Sequence, residues 1–282
     1  MPSRIALVST RDLHVIDADE ELLLPLLPEA EIAYWDDADT DWSRYELVVL
    51  RSTWNYTSHL DEFLAWATRT SQVTRLVNPV EIIEWNTDKR YLGDLTARGI
   101  PTVPTLFASP GEDIRADAVA GHVVVKPSVG AGSQGAKLFH DDPVGALSHA
   151  AALQANGSTA MVQPYLDGVD EHGETALIFV GGEFSHAARK AAILSRDMSW
   201  STGLYADEKV VPTTATPAEL ELAHRILADL PGLAYARVDL LPTADGPVVL
   251  ELELTEPSLF LALSPGAPAR AAAAFRALLS QP

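Results

Sequence analysis

Two hydrophobic patterns divide the chain. The apolar runs RIALVS (4–9) and LVVL (47–50) show no polar alternation, which predicts strands buried on both faces of a parallel sheet. Helical spacing follows from Asp61 in DEFLAWATRT, with Asp61 and Glu62 suited to a helix N-terminus. Together these predict a small Rossmann-like α/β domain over residues 1–85. Asn86 or Thr87 then caps a predicted helix running through KRYLGDLTAR to Gly99, a stop ahead of Pro101.

From about Val103 the pattern turns to short strands broken by glycines: VVVK (123–126), AKLF (136–139), AMVQPY (160–165), TALIFV (175–180) and EFSHAARK (183–190). Gly181-Gly182 reads as a hairpin turn between the last two. Helices are predicted at 217–230 and in PARAAAAFRALLS at the C-terminal end. Between them lie ARVDLL (236–241) and PVVLELEL (247–254), joined by the turn chemistry of Pro242, Asp245 and Gly246. Side chains on a strand repeat direction every second residue, so Arg237 and Asp239 share a face, as do Glu251 and Glu253. A pivot near Asp245 sets Asp239 opposite Glu251 and Arg237 opposite Glu253. Unpaired buried carboxylates are costly, and a hard divalent cation such as Mg²⁺ would offset that cost; the plainer alternative is an acidic, solvent-facing edge hairpin.

Composition narrows the function. A chain of 282 residues with 47% hydrophobic content can hold a large core and more than one globular unit. It contains no run of about eighteen apolar residues and no signal-like N-terminus, so a cytoplasmic location is expected. Cysteine is absent, which excludes disulfides, thiolate catalysis and cysteine-ligated metals. A net charge of −19 argues against binding to nucleic acid or an anionic membrane, and only 20 residues are Lys or Arg. Several of these cations sit inside motifs, which points to local use against an anionic ligand. The eight histidines form no HExxH pair.

Lys126 leads into PSVGAGSQGAKL, where Gly130, Gly132 and Gly135 surround Ser133 and Gln134. Such a loop can turn backbone N–H groups toward phosphate while a nearby ammonium adds charge. It lacks the GK[ST] of a Walker A loop, and unlike a Rossmann loop it leads to a strand instead of opening a helix. A flexible hairpin turn is the bland alternative, as is a plain surface residue for Lys89 and a solvated strand end for Arg189 and Lys190.

The ordered set is more specific than any member. Lys89, the lysine and glycine loop from Lys126 to Gly135, Gln163-Pro164-Tyr165-Leu166, Arg189-Lys190, then Arg-x-Asp and Glu-x-Glu resemble the ATP-grasp superfamily over residues 86–264. Within it, LRSTWNY (50–56), NPVEIIEWNTDKRYL (78–92) and LELELTEPSLFL (250–261) look most like the O-ureido-serine cyclo-ligases of cycloserine biosynthesis. The resemblance implies two α+β lobes clasping ATP, a small one at 86–165 and a large one at 166–282. It implies that Lys89 and Lys126 contact the nucleotide, that Ser128 to Gly135 close as a lid, and that Gln163 to Leu166 read adenine. Asp170 or Glu174 would hold the ribose. Asp239, Glu251 and Glu253 would bind two Mg²⁺ ions, replaceable by Mn²⁺, where many relatives carry asparagine at the place of Glu253.

Such enzymes phosphorylate a carboxylate and let nitrogen displace the phosphate, so catalysis is positioning and electrostatics. Arg237, assisted by Arg189 and Lys190, is the expected stabiliser of the developing charge. Arg51, Thr53 and Trp54 follow a strand's carboxyl end, where open α/β sheets place ligands, and with Ser258 they are the expected contacts for a small amino-acid-like substrate; Trp54 could equally pack between domains. The leading expectation is ring closure of O-ureido-D-serine to D-cycloserine. The alternatives are an intermolecular carboxylate–amine ligase and a catalytically silent nucleotide-binding protein, each as a monomer or homodimer.

Overall fold

A computed structural model describes residues 4–166, 168–191 and 209–280. The N-terminal sheet is parallel, in the order β2-β1-β3-β4, from β1 (Ile5–Ser9), β2 (Ala30–Tyr34), β3 (Leu47–Ser52) and β4 (Arg75–Val77). Every residue of β1 and β3 is buried, which is why neither run alternates. The short strands β2 and β4 escape the pattern because they flank the centre and carry polar residues. Helix α1 (Ala18–Leu23) precedes β2, and α2 (Leu60–Ser71) carries Asp61 and Glu62 in its first turn.

The helix expected from Asn86 or Thr87 to Gly99 is present as α4 (Tyr91–Ala97) but starts later, and an unexpected helix, α3 (Val80–Asn86), precedes it, with Lys89 on the turn between them. Asn86 does not cap because its amide is occupied elsewhere. Its Nδ2 donates to Leu252 O at 2.7 Å and its Oδ1 accepts from Leu254 N at 2.7 Å. Gly99, with φ of 76°, closes α4 as Ile100 N donates back to Leu95 O.

An antiparallel sheet ordered β5-β8-β6-β7 follows, from β5 (Leu106–Ala108), β6 (His122–Pro127), β7 (Lys137–His140) and β8 (Ala160–Pro164). Helix α5 (Pro143–Ala155) packs on it through Ala146 and Ala150. The larger antiparallel sheet, β11-β10-β9-β12-β13, is built from β9 (Glu174–Val180), β10 (Glu183–Lys190), β11 (Val210–Thr213), β12 (Tyr235–Thr243) and β13 (Gly246–Glu253). The short helix α6 (Gly168–His172) precedes it, α7 (Pro217–Leu227) starts with a Thr216/Glu219 capping box, and α8 (Ala267–Leu278) closes the described chain. No helix among the described residues is long and apolar enough to cross a membrane.

The last hairpin has a feature that the sequence conceals. Thr243 pairs with Gly246 and Leu240 with Val249, and this register would set Asp239 opposite Leu250 and turn both glutamates to the far face. One extra residue, Leu250, shifts the register, so Asp239 pairs with Glu251 and Arg237 with Glu253. The pairing expected from a pivot near Asp245 is therefore present, and a bulge produces it.

The first sheet and the large sheet share one core, in which Ile5, Leu7, Leu47 and Val49 join Ile178, Tyr235 and Phe275. Asn78, fully buried, fastens this junction: Nδ2 donates to Tyr235 O at 3.0 Å and Leu254 O at 2.6 Å, and Oδ1 accepts from Ala234 N at 2.7 Å. Replacing Asn78 with Ala strands three buried backbone groups, so the variant should unfold at lower urea, with a loss of about 2–5 kcal/mol. A midpoint equal to wild type would show that water replaces the amide.

Candidate active site

Between the two antiparallel sheets lies a cavity of about 650 Å³. One wall is the loop joining β6 to β7, from which Gly130, Gly132, Ser133 and Gln134 line the space. Gly135 sits behind it, with φ of 72° and its Cα packed so closely on Pro127 that a Cβ would lie 3.1 Å from the ring. The strand end Gln163-Pro164-Tyr165-Leu166 forms a second edge. Gln163 spends its amide on Thr105 Oγ1 at 2.9 Å, leaving this edge to present main-chain groups.

The floor is made of charge. Lys89, Lys126, Lys190 and Arg237 reach the cavity from separate segments, and Glu174, Glu251 and Glu253 accompany them. Lys89 Nζ donates to Gly130 O at 2.5 Å and pairs with Glu251 at 3.1 Å, so one ammonium joins the glycine loop to the acidic hairpin. Lys190 bridges Glu174 at 3.0 Å and Asp239 at 2.9 Å. Arg237 grips Asp239 through Nε and Nη2, both at 3.0 Å, and also pairs with Glu253. Gly173, with φ of 66°, lets the chain pass the β10 end, since a Cβ there would meet Lys190 O at 2.3 Å.

These contacts set the protonation states. Burial disfavours charge on Lys126 and lowers its pKa, with Lys89 and Lys190 repelling it further. Burial also opposes the charge on Lys89, but Glu251 outweighs it and the pKa rises. Asp239 and Glu251 are both held below the usual carboxylate range: burial pushes them up, while Arg237 and Lys190 for the first, and Lys89 and Lys126 for the second, pull them down. Burial, reinforced by Glu251 and Asp239, pushes Glu253 up to about 8 against the pull of Arg237.

Several expected ligands lie elsewhere. Asp239 is fully buried beneath the floor, paired with cations instead of facing the cavity. Arg189 follows strand alternation: Lys190 turns inward, so Arg189 turns out and donates to His172 O at 2.8 Å. Asp170 accepts from Tyr165 Oη at 2.6 Å off the cavity wall, and Ser128, buried, offers its carbonyl to Lys89 N at 2.8 Å. Arg51 and Thr53 are buried behind the site, whereas Trp54 and Ser258 do line it.

Arg51 and Asp19 instead act on the loop that follows the hairpin. Arg51 Nη2 donates to Pro257 O at 2.9 Å and faces Asp19 at 3.4 Å, while Asp19 accepts from Leu259 N at 2.6 Å and Leu261 N at 2.8 Å. Between those two amides Phe260 adopts a left-handed conformation, φ of 49° and ψ of 41°, with its ring against the Arg237 guanidinium at 5.2 Å. Arg237 Nη1 also donates to Ser258 O at 3.1 Å. Asp19, Phe260, Tyr56, Asn86 and Glu256 escape a reading of the sequence: they lack motif spacing and meet only in the folded chain.

The donor set suits a hard divalent ion, because the wall offers carboxylate oxygens and no thiolate or imidazole. Glu251 and Glu253 are the accessible pair; among the described residues no group of three such side chains stands ready to hold a metal. Asp239 could join only by releasing Lys190.

Two lobes clasping a lysine-lined cavity beneath a glycine loop define the ATP-grasp ligase class. A D-alanine–D-alanine ligase from Bacillus anthracis, complexed with ATP, shares the fold at a TM-score of 0.64 and 17% identity over 99% of this chain and 95% of that one. The profile of the family described as D-cycloserine synthetase DcsG, N-terminal domain, matches residues 5–78. The cycloserine biosynthesis protein DcsG of Streptomyces lavendulae is 42% identical over 252 residues, covering 83% of this chain and 84% of that protein. The crystal structure of D-cycloserine synthetase DcsG superposes with a TM-score of 0.87 at 37% identity, covering 98% of this chain and 99% of that one. The chain belongs to the DcsG family.

Glu20 supplies a pH test beside this site. It is 1% exposed, and the polar side chains beside its carboxyl are Asp17 and Ser52. Burial raises it to about 8, against the pull of Arg51. The folded state thus holds a proton that the unfolded chain releases near 4.5, and stability should fall as pH rises from about 4.5 to 8. Glu20→Gln should flatten that decline and stabilise the protein at pH 8 by about 2–4 kcal/mol; parallel urea-stability curves for the two proteins would contradict it.

Lys89→Met leaves Glu251 without its lysine and the loop without its tether. Calorimetric titration with Mg-AMPPNP should show affinity reduced about 10- to 100-fold, and an unchanged Kd would remove Lys89 from the nucleotide site.

Proposed function

We propose that this protein is an ATP-dependent ligase that closes O-ureido-D-serine to D-cycloserine, releasing ADP and phosphate. The observation that carries this reading is the convergence of Lys89, Lys126, Lys190 and Arg237 with Glu251 and Glu253 on one cavity wall, within a chain of the DcsG family. A nucleotide triphosphate needs that cationic floor, and a metal needs those acids.

In this reading the nucleotide lies between the glycine loop and the 163–166 edge, adenine against main-chain groups and phosphates toward Lys89 and Lys126. Glu251 and Glu253 would hold magnesium, which would supply positive charge to the phosphate oxygens; two ions, and Mn²⁺ in their place, belong to the same proposal. Arg237 faces the substrate carboxylate and the transferring phosphoryl group, with Lys190 beside it. Transfer of the γ-phosphoryl group gives an acyl phosphate and ADP. The oxygen-bound nitrogen of the same molecule then attacks the carbonyl carbon, forming the ring C–N bond as the C–O bond to phosphate breaks. Cycloserine has an unsubstituted ring nitrogen, so the carbamoyl group that nitrogen carried departs by hydrolysis as carbon dioxide and ammonia. The glycine loop shields the acyl phosphate from water.

The working units are residues 1–85, 86–165 and 166–282, the last including 192–208, outside the described residues. A cytoplasmic, monomeric or homodimeric enzyme fits the use of ATP on a small substrate.

ADP release with Mg-ATP and O-ureido-D-serine as sole organic substrate, with products identified by mass spectrometry, tests the reading. Cycloserine formation is expected, and Glu251→Gln should reduce it at least about 10³-fold while leaving the fold intact. ADP release that needs a second amine would instead make the protein an intermolecular ligase, and the absence of turnover with every amino acid tried would leave nucleotide binding alone.

A further inference from the structure

One acid of the cavity wall has no part in that chemistry. Glu256 is 8% exposed and lines the cavity, three residues beyond Glu253. The other acids there are paired or bonded to main-chain amides: Glu174 with Lys190, Glu251 with Lys89, Glu253 with Arg237, and Asp19 with the amides of Leu259 and Leu261. Asp17 caps α1 by accepting from Asp19 N at 2.9 Å, and Glu21 faces solvent. Among the described residues no lysine, arginine or histidine lies within ion-pair distance of Glu256. Its polar neighbours are neutral: the Tyr56 hydroxyl hydrogen-bonds the carboxyl, and Trp54 Nε1 donates to the main-chain Glu256 O at 3.3 Å. Burial pushes this carboxyl up to about 7, with Glu251 adding to the rise and Tyr56, Lys89 and Arg237 opposing it. A desolvated carboxyl with no cation at ion-pair distance among the described residues, held by the Tyr56 hydroxyl, is suited to an organic ammonium ion.

An amino-acid-like substrate carries such a group. With its carboxylate at Arg237, the α-ammonium must find an anion close by or lose its water without compensation. We propose that Glu256 is the receptor for the substrate's α-ammonium group and thereby a determinant of which nitrogen reacts. Pairing there keeps the α-amine protonated and without a free lone pair, so it cannot attack the activated carboxyl of another molecule. The oxygen-bound nitrogen of the same substrate is left as the nucleophile. This inference rests on the cyclisation reading for its substrate, and its test separates the two.

The experiment compares wild type and Glu256→Gln on O-ureido-D-serine and on its deaminated analogue, 3-(ureidooxy)propanoate. Wild type should favour the amino substrate in kcat/KM by about 10- to 100-fold. The variant should lose most of that preference, chiefly through a higher KM for the amino substrate. Equal losses on both compounds, or an unaltered preference, would overturn the proposal, since a merely structural role lowers both alike. If wild type turns over neither compound, the cyclisation reading fails and the ammonium site is judged by thermal stabilisation in Mg-ADP with D-serine or D-glycerate. Greater stabilisation by D-serine that disappears in Glu256→Gln supports the receptor; no difference between the two ligands overturns it.

Discussion

A carboxylate with no exposure to solvent, Asp239, holds the cavity floor together. It accepts from Arg237 and Lys190 at once, and those two cations in turn hold Glu253 and Glu174. In a medium of low polarity each of these charges would be too costly alone. Joined, they fix two cationic side chains at the base of the cavity, where an anionic nucleotide and an activated carboxylate require them. In a chain of net charge −19 with only 20 Lys and Arg residues, the meeting of four cations on this floor is telling: they are placed where phosphate chemistry needs them.

That floor depends on parts distant in sequence. Helix α1 contributes Asp19 and strand β3 contributes Arg51, which shape the loop carrying Ser258 and the left-handed Phe260, and this loop packs on Arg237. Asn78 and Asn86 hold the strand that presents Glu251 and Glu253. The first domain is therefore more than an appendage to the nucleotide site. Its Asn78, with Asn86 just beyond it, satisfies backbone groups of the hairpin and its flanks that would otherwise be orphaned.

Much of this was legible in the amino-acid order. Unbroken apolar runs marked the central parallel strands, short runs broken by glycines marked the antiparallel ones, and the glycine loop, the lysines and the acidic hairpin marked the nucleotide site, because each is a local property of a few neighbouring residues. The hairpin register was legible too, although the bulge at Leu250 that produces it was not, since a bulge depends on which side of the strand finds a core. The helix expected from Asn86 starts only at Tyr91 for a similar reason: Asn86 bonds the backbone at the end of β13 instead of capping.

The sequence by itself determined the element types, the class of ligand and the residues able to bind phosphate and metal, because periodicity and side-chain chemistry are written in the order of residues. Only the tertiary structure decided which charges meet. Arg51 became a support behind the site, Arg189 turned outward while Lys190 turned in, Asp239 went under the floor, and Glu256 came to the wall with no cation beside it among the described residues. Burial and pairing are set by segments as far apart as residues 19 and 259, and no local pattern encodes a contact between chain segments separated by most of the protein's length.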